Sequence, residues 1–296
     1  MSCRHQTGAN QAVAASLLGA RVAMISKVGN DSFGRDTLEN FQRQGVDCAH
    51  VSVSPKATGV APISVDSAGD NQIIVVMGAN DDLSPHDIEA NPDICKLLQN
   101  AKVVVAQLEI PHQTSLAALR VAKAKPNGPI TILNTAPATA ALDAEFLEHV
   151  DILCPNEPEA ELLTGLSPGS DTWHADVANQ LHDQLSDSAK HVVLTMGKRG
   201  VLWVRGDAHT GETVHTHFPS TPDVAVDTVG AGDAFVGAMA ACIAGDADLT
   251  LDLAIQKANV AAGKSVTHKG TQTSFASHTD TNGPVDQWAL GLKHSD

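Results

Sequence analysis

Positive charge is scarce in this chain. Against 34 Asp and Glu there are 19 Lys and Arg, giving a formal net charge of -15 and a pI of about 5.2. Surfaces that track a phosphate backbone need clustered Lys and Arg, so this balance argues against a nucleic-acid partner. It leaves single nucleotides open as ligands, because they need only a few local donors. The five cysteines (Cys3, Cys48, Cys95, Cys154 and Cys242) are scattered, with no CxxC and no Cys/His pairing. That pattern reads as thiols in a reducing compartment rather than a disulfide framework. No apolar run is long enough to span a bilayer, and Met1 to Gln6 is short and polar, without a secretory apolar core. The expectation is a soluble protein of the cytoplasm, with the nucleus not excluded. Internal repeats and low-complexity linkers are lacking, as is any local Ser-His-Asp or Cys-His signature. His215 and His217 lie two apart in an expected strand and share a face, with His209 the nearest third ligand. A solvated edge strand is preferred there to a metal site.

The 296 residues are 43% hydrophobic, ample for a buried core in one large α/β domain or two ordinary ones. Ala9, Ala12, Val13, Ser16 and Leu17 recur at helical spacing before Gly19. A strand over Val22 to Ile25, a helix over Asp36 to Gln44 and a strand near Val51 follow. Two apolar runs, Val60 to Val65 and Gln72 to Met77, flank Asp66 to Asp70 as a hairpin. Short apolar strands are then expected at Val103 to Ala106, Ile130 to Leu133, Ile152 to Cys154 and Val192 to Thr195. Helical stretches such as Thr114 to Lys123 and Trp173 to Leu185 separate them. Such alternation predicts an α/β, Rossmann-like fold, a mostly parallel sheet with helices on both faces. Val201 to His217 reads as an antiparallel excursion, and the chain is mainly helical from Gly232. Residues 1–296 are read as one domain carrying a small β lid at 51–77. The chain opens in the turn before a helix, where parallel α/β domains usually open with a strand.

The chemistry concentrates in Asp227-Thr228-Val229-Gly230-Ala231-Gly232-Asp233-Ala234-Phe235. A glycine-rich turn entering a helix leaves backbone N–H groups unpaired and aligned with the helix dipole, which makes an anion site. A carboxylate beside it, Asp233, can accept the proton of an attacking hydroxyl. Taken alone, Gly230-Ala231-Gly232-Asp233 reads as readily as a turn and a helix cap.

The nine-residue stretch resembles the C-terminal signature DTxGAGDxF of the ribokinase family of carbohydrate kinases. The resemblance runs along nearly the whole chain. Gly8-Ala9-Asn10-Gln11-Ala12 is similar to the family's GGKGANQA turn, and Val28 to Gly34 to its VGxDxFG segment. Thr58 to Ala61 and Gly78 to Asn80 resemble the edges of its lid, and Gln107-Leu108-Glu109 and Asn134 to Ala138 its QLE and NPAPA elements. Pro155 to Glu161 contains NxxE. The combination looks most like the ribokinase branch rather than fructokinase or adenosine kinase. It implies ATP-dependent phosphorylation of D-ribose at the 5-hydroxyl, with Mg²⁺ and K⁺. The alternatives are another sugar or a nucleoside as acceptor, or an inactive nucleotide-binding homologue.

Carried over by this resemblance, Asp233 is the base, and Gly230, Ala231 and Gly232 form the anion hole. Asn156 and Glu159 hold Mg²⁺ and phosphate largely through water, although their spacing also fits a capping box. Thr195, Gly197, Lys198 and Gly200 match the family's nucleotide turn, with a plain β-turn as competitor, and Asn259 stands where a residue lies against adenine. A monovalent-cation site is implied at Asp227, Val229, Ser265, His268, Gly270 and Ser274, mostly through backbone carbonyls, and Gly270 to Ser274 matches GTQxS. Gly8, Asn10 and Glu109 are the sugar-binding candidates, although Asn10 alone would read as a helix cap. Two departures stand out. Nothing before Gly8 supplies the family's GxxNxD strand, which suggests a truncated gene model or splice variant. Thr7 occupies the place of the sugar-contacting Lys. The family commonly dimerises through the lid, and a homodimer is implied to that extent.

Overall fold

The computed structural model describes residues 7–61, 63–65, 71–73, 76–137, 142–185, 190–207, 210–220 and 224–277. His5, Gln6, the hairpin turn 66–70, Ala138 and His209 lie outside these residues.

Helix α1 (Thr7–Leu17) buries seven consecutive residues, Ala9 to Ala15, so it is a core helix with little polar face. Strand β1 (Val22–Gly29) follows, then α2 (Ser32–Arg43) and β2 (Val46–Ser54). Helix α2 starts four residues before the apolar pattern suggests, because Asp31 caps it by accepting from the N–H of Gly34 at 2.8 Å. The hairpin pairs β3 (Ile63–Val65) with β4 (Asn71–Ile73), and Val60 bridges Val76. Val51 to Ser54, by contrast, are the end of β2, laddered in parallel to Ser26 to Gly29 of β1.

Beyond the hairpin come α3 (Pro85–Glu89), α4 (Pro92–Asn100), β5 (Val103–Ala106), α5 (His112–Ala122), β6 (Ile130–Asn134), α6 (Ala144–Glu148) and β7 (Ile152–Cys154). Then follow α7 (Glu157–Thr164), α8 (Trp173–Asp183), β8 (His191–Thr195), β9 (Val201–Gly206), β10 (Thr213–Phe218), α9 (Ala231–Gly245) and α10 (Leu251–Ser265). Strands β5 to β8 are parallel and β9 and β10 antiparallel, in the order β10-β9-β8-β7-β6-β5. The strand period of two sends neighbouring residues to opposite faces. Leu133, Leu153, Leu194 and Leu202 join Phe146, Trp173 and Leu181 on one side. Ile132, Ile152, Val193 and Val201 meet Phe235, Met239 and Ile255 on the other. Both faces are covered, as parallel sheets require.

The sheet is not continuous. β1 and β2 form a parallel pair of their own, and among the described residues nothing pairs with the second edge of β1 or of β5. Packing still brings the two together. Ile25 of β1 and Val104 of β5 share one apolar cluster, and Val22 packs with Val103 and Val105 against another. No helix among the described residues is long and apolar enough to cross a membrane.

Candidate active site

Helix α9 begins at Gly230, whose φ of +84° is the left-handed conformation that favours glycine. A Cβ there would sit 2.3 Å from Thr271 Cγ2, so the turn is also pressed against the 270–275 loop. Gly230 is the N-cap and makes no side-chain cap bond, which leaves the first-turn N–H groups without intrahelical partners. A Cβ on Gly232 would meet nothing within 4 Å, so open space lies over this end of the helix. An anion fits it.

Asp233 does not cap the helix. It lies in the first turn, and its carboxylate is directed to α1, where Asn10 Nδ2 donates to Oδ2 at 2.8 Å and Gln11 Nε2 to Oδ1 at 3.2 Å. The two helices approach closely enough that a Cβ on Gly237 would lie 2.6 Å from Ala14 Cβ and from Gln11 O. Part of the Asp233 residue keeps solvent contact, yet its carboxylate is crowded by protein. Burial pushes its pKa up to about 7, the bonds from Asn10 and Gln11 pull the other way, and the charges of Glu109 and Glu159 add to the rise. A carboxylate poised there suits a general base at neutral pH.

Three amides that the sequence motifs contain, without an evident role, complete this environment. Gln107 Nε2 donates to Gln11 Oε1 at 2.6 Å, Gln11 Nε2 also reaches Asn134 Oδ1 at 2.9 Å, and Asn134 Nδ2 donates to Cys154 O. Only the recurrence of Asn and Gln within the motifs signals them in the sequence. Glu109 lies close by. Its two oxygens accept from the N–H and the hydroxyl of Thr7, each at 2.8 Å, and burial raises its pKa. Thr7 and Glu109 are therefore in direct contact, so the carboxylate proposed for sugar binding is engaged by the start of α1. Gly8 is held close to Gln107, whose Oε1 would lie 2.8 Å from a Cβ there. Asn10 is a ligand of Asp233 rather than a helix cap.

Asn156 and Glu159 form the capping box of α7 that their spacing allowed. Asn156 Oδ1 accepts from the Glu159 N–H at 2.9 Å, while Glu159 accepts from Asn156 N at 3.0 Å, Asn156 Nδ2 at 2.9 Å and Thr135 Oγ1 at 2.8 Å. Glu159 is buried, which raises its pKa, whereas Asn156 is exposed. Asn156 also bridges Thr195 at the end of β8. The following turn, Gly197–Arg199, is a 3-10 helix that closes when Met196 N donates to Gly200 O at 2.8 Å. Lys198 in it is exposed, and a Cβ on Gly197 would meet nothing within 4 Å, so this turn too borders open space. Asn259 Nδ2 donates to Pro219 O at 2.7 Å, and Ser220 Oγ to Lys198 O at 2.6 Å. Asn259 thus braces the loop behind the turn.

Asp227 accepts from Val229 N at 3.1 Å and from Gly270 N at 3.0 Å, clamping the two loops that flank the start of α9. Ser265 and Ser274 are buried, with their hydroxyls donating to Ala262 O and Thr271 O. His268 is exposed and bonds Thr267. His215 and His217 are exposed on the edge strand β10, bonded to Asn179 and to the carbonyl of Arg199.

A profile of the pfkB family carbohydrate kinases matches residues 7–278. A ribokinase of Mus musculus is 39% identical over 269 residues, covering 90% of this chain and 80% of its own. A deoxyribokinase of Salmonella typhi is 37% identical over 271 residues, 91% and 83% of the two chains. Among solved structures, Arabidopsis thaliana ribokinase complexed with ribose and ATP superposes with a TM-score of 0.82 at 26% identity, covering 97% of this chain and 88% of that one. This chain belongs to the ribokinase/pfkB family of carbohydrate kinases.

Proposed function

We propose that the chain transfers the γ-phosphoryl group of ATP to the 5-hydroxyl of D-ribose, with Asp233 as base. The observation that carries this reading is a carboxylate in the first turn of α9, beside N–H groups that have no partner within the helix, with a pKa raised to about 7 by burial. Asp233 accepts the proton as the sugar oxygen attacks. The N–H groups of Gly230, Ala231 and Gly232, aided by the helix dipole, hold the charge that develops on the transferred group. Thr195, Gly197, Lys198 and Gly200 line the nucleotide side, with Asn259 bracing them. Glu159 has its oxygens occupied by protein donors, so with Asn156 it would hold Mg²⁺ through water, the ion supplying charge neutralisation on the phosphates. Asp227, Val229, Ser265, His268, Gly270 and Ser274 would surround K⁺, which tunes the shape of the anion hole rather than taking part in bond making. Gly8, Asn10 and Glu109 would bind the sugar. A homodimer through the hairpin side is supported by the exposed apolar side chains Phe33, Val53 and Val76.

A second acceptor, 2-deoxyribose, is favoured by the 37% identity to a deoxyribokinase. The test is ADP release by the purified chain with ATP, Mg²⁺, K⁺ and either sugar, beside Asp233→Asn. Ribose-dependent turnover that falls about 10³-fold in the variant, with ATP affinity kept, is the expected result. A kcat/KM higher for deoxyribose would move the assignment to the second acceptor. ATP binding without sugar-dependent turnover would overturn both.

A further inference from the structure

The Asn10 amide that faces Asp233 is the last member of a chain reaching the surface. Arg43 Nη2 donates to Asn40 Oδ1 at 2.7 Å, and Asn40 Nδ2 donates to Gln272 Oε1 at 2.8 Å. Gln272 Nε2 donates to Asn10 Oδ1 at 2.9 Å, and Asn10 Nδ2 to Asp233 Oδ2 at 2.8 Å. An amide turned by half a revolution exchanges its donor and acceptor with almost no change of shape. Here both ends forbid the exchange. A guanidinium offers donors only and a carboxylate acceptors only, so one orientation of all three amides satisfies every link. Asn40 and Asn10 are buried, at 5% and 2% exposure, so a reversed amide would leave buried polar atoms unpaired. The chain joins α2, the 270–274 loop, α1 and α9, and each link between these elements spans more than two hundred residues of sequence.

We propose that Asn40 and Gln272 are positioning residues for phosphoryl transfer: they fix the Asn10 amide with its N–H towards Asp233 and so favour the ionised base. The proposal rests on reading Asp233 as the base of a sugar kinase. Facing Asp233 are Asn10 and Gln11 from α1, which favour the carboxylate. Glu109 after β5 and Glu159 of α7 oppose it through their charge, and Arg43 stands at the far end of the chain. The two donated bonds are what the site sets against burial and two neighbouring acids. Losing the orientation of one of them therefore moves the base in a single direction, towards its protonated form.

Asn40→Asp is the sharpest test, because it reverses the chain without changing its shape. A carboxylate at position 40 accepts from Arg43 and demands a donor from Gln272. Gln272 must then turn its oxygen to Asn10, and Asn10 must turn its oxygen to Asp233. The added negative charge acts in the same sense, so the uncharged Gln272→Leu is made alongside it. In both variants the acid limb of kcat is expected to move up by ~0.5 pH unit or more, with KM for ATP unchanged. The Asp233 side-chain carboxyl, followed by ¹³C NMR in the resting protein, should titrate higher by the same amount. Coincident limbs and coincident titrations for Gln272→Leu and the unsubstituted chain overturn the proposal, as does a limb moved in Asn40→Asp alone, which charge would explain. If the unsubstituted chain turns over neither sugar, the kinase reading fails. The carboxyl titration then decides by itself whether the relay orients Asp233.

Discussion

On the β5–β10 side of the molecule each strand of the sheet's interior is laddered on both edges, and leucines and β-branched residues fill both faces. On the β1–β2 side Val22 to Ile25 are only partly buried, and one edge of β1 has no strand partner among the described residues. The loops differ in the same way. Those that would hold nucleotide and cation are cross-tied: Asn156 to Thr195, Asn259 to Pro219, Asp227 to Gly270. Glu109, on the sugar side, has both oxygens engaged by a single residue, Thr7. Asp233 sits at the seam, carried by α9 from the firm side and held by amides of α1 from the other. The comparison teaches that the loops proposed to hold phosphate are built on the sheet-backed half, whereas the proton affinity of Asp233 is set by contacts that cross the seam.

The firm half breaks most sharply at Gly230. Alanine there would force a left-handed backbone on a residue with a Cβ and drive that Cβ into Thr271. Turnover should fall by about 10²–10³-fold, the usual cost of losing an oxyanion-hole donor. Circular dichroism should stay native, and kcat rather than the sugar KM should carry the loss. An unchanged kcat would show that the turn does not hold the transferred group.

Hydrogen exchange sharpens the comparison itself. Amides of Leu153 and Val193, central in the six-stranded sheet, should exchange only through global unfolding. Those of β1 that point to its unpartnered edge should open locally, at a free energy lower by about 2 kcal/mol or more. Equal protection of the two sets would mean that the β1–β2 pair is as firmly held as the main sheet.

Asp233 gives a smaller effect, with a sign that tests its environment. Its folded pKa of about 7 lies above the ordinary 3.8, so between those pH values the native state binds more protons than the unfolded chain. Stability then falls as pH rises through that window and is not recovered above it. Asp233→Asn removes the burdened charge, and at pH 8 it should raise stability by on the order of 1–2 kcal/mol, part of the gain being offset by an amide N–H facing a donor. The difference should shrink towards pH 4. A lower melting temperature for the variant at pH 8 would mean that Asn10 and Gln11 hold the carboxylate more strongly than burial opposes it.

The two halves were not equally legible in the sequence. Strands β5 to β8 are apolar runs of three to five residues between helical stretches, and local pattern locates them within a residue or two. The start of α2 is less visible, because it depends on Asp31 capping Gly34 rather than on apolar spacing. The break between β1 and β5 is a matter of which strands pair, and pairing leaves little trace in either segment. The glycine turn that opens α9 reads directly from Gly230 and Gly232. The amides around Asp233 do not, since the partners of Gln11, Gln107 and Gln272 stand 96 to 262 residues away. Asn156 and Glu159 show the reverse case, where spacing announces the capping box and says nothing of a metal.

Asn259 supplies the mildest break, on the firm side. It reaches Pro219 O from α10, and Ser220 in turn holds the carbonyl of Lys198 in the turn proposed to meet the nucleotide. Removing the amide in Asn259→Ala costs one hydrogen bond, about 1 kcal/mol, and leaves the Pro219 carbonyl to water because the site is partly exposed. The turn keeps its own closure through Met196 N and Gly200 O, so its shape survives while its position loosens. The expected outcome is a KM for ATP raised about fivefold, with kcat and the sugar KM unchanged. A side chain that only braces a loop behaves in this way. Had Asn259 hydrogen-bonded the base directly, the loss would extend to discrimination between ATP and GTP. Measuring both nucleotides with the one variant therefore separates a brace from a reader, and the bond to Pro219 predicts that the ratio of their kcat/KM values does not move.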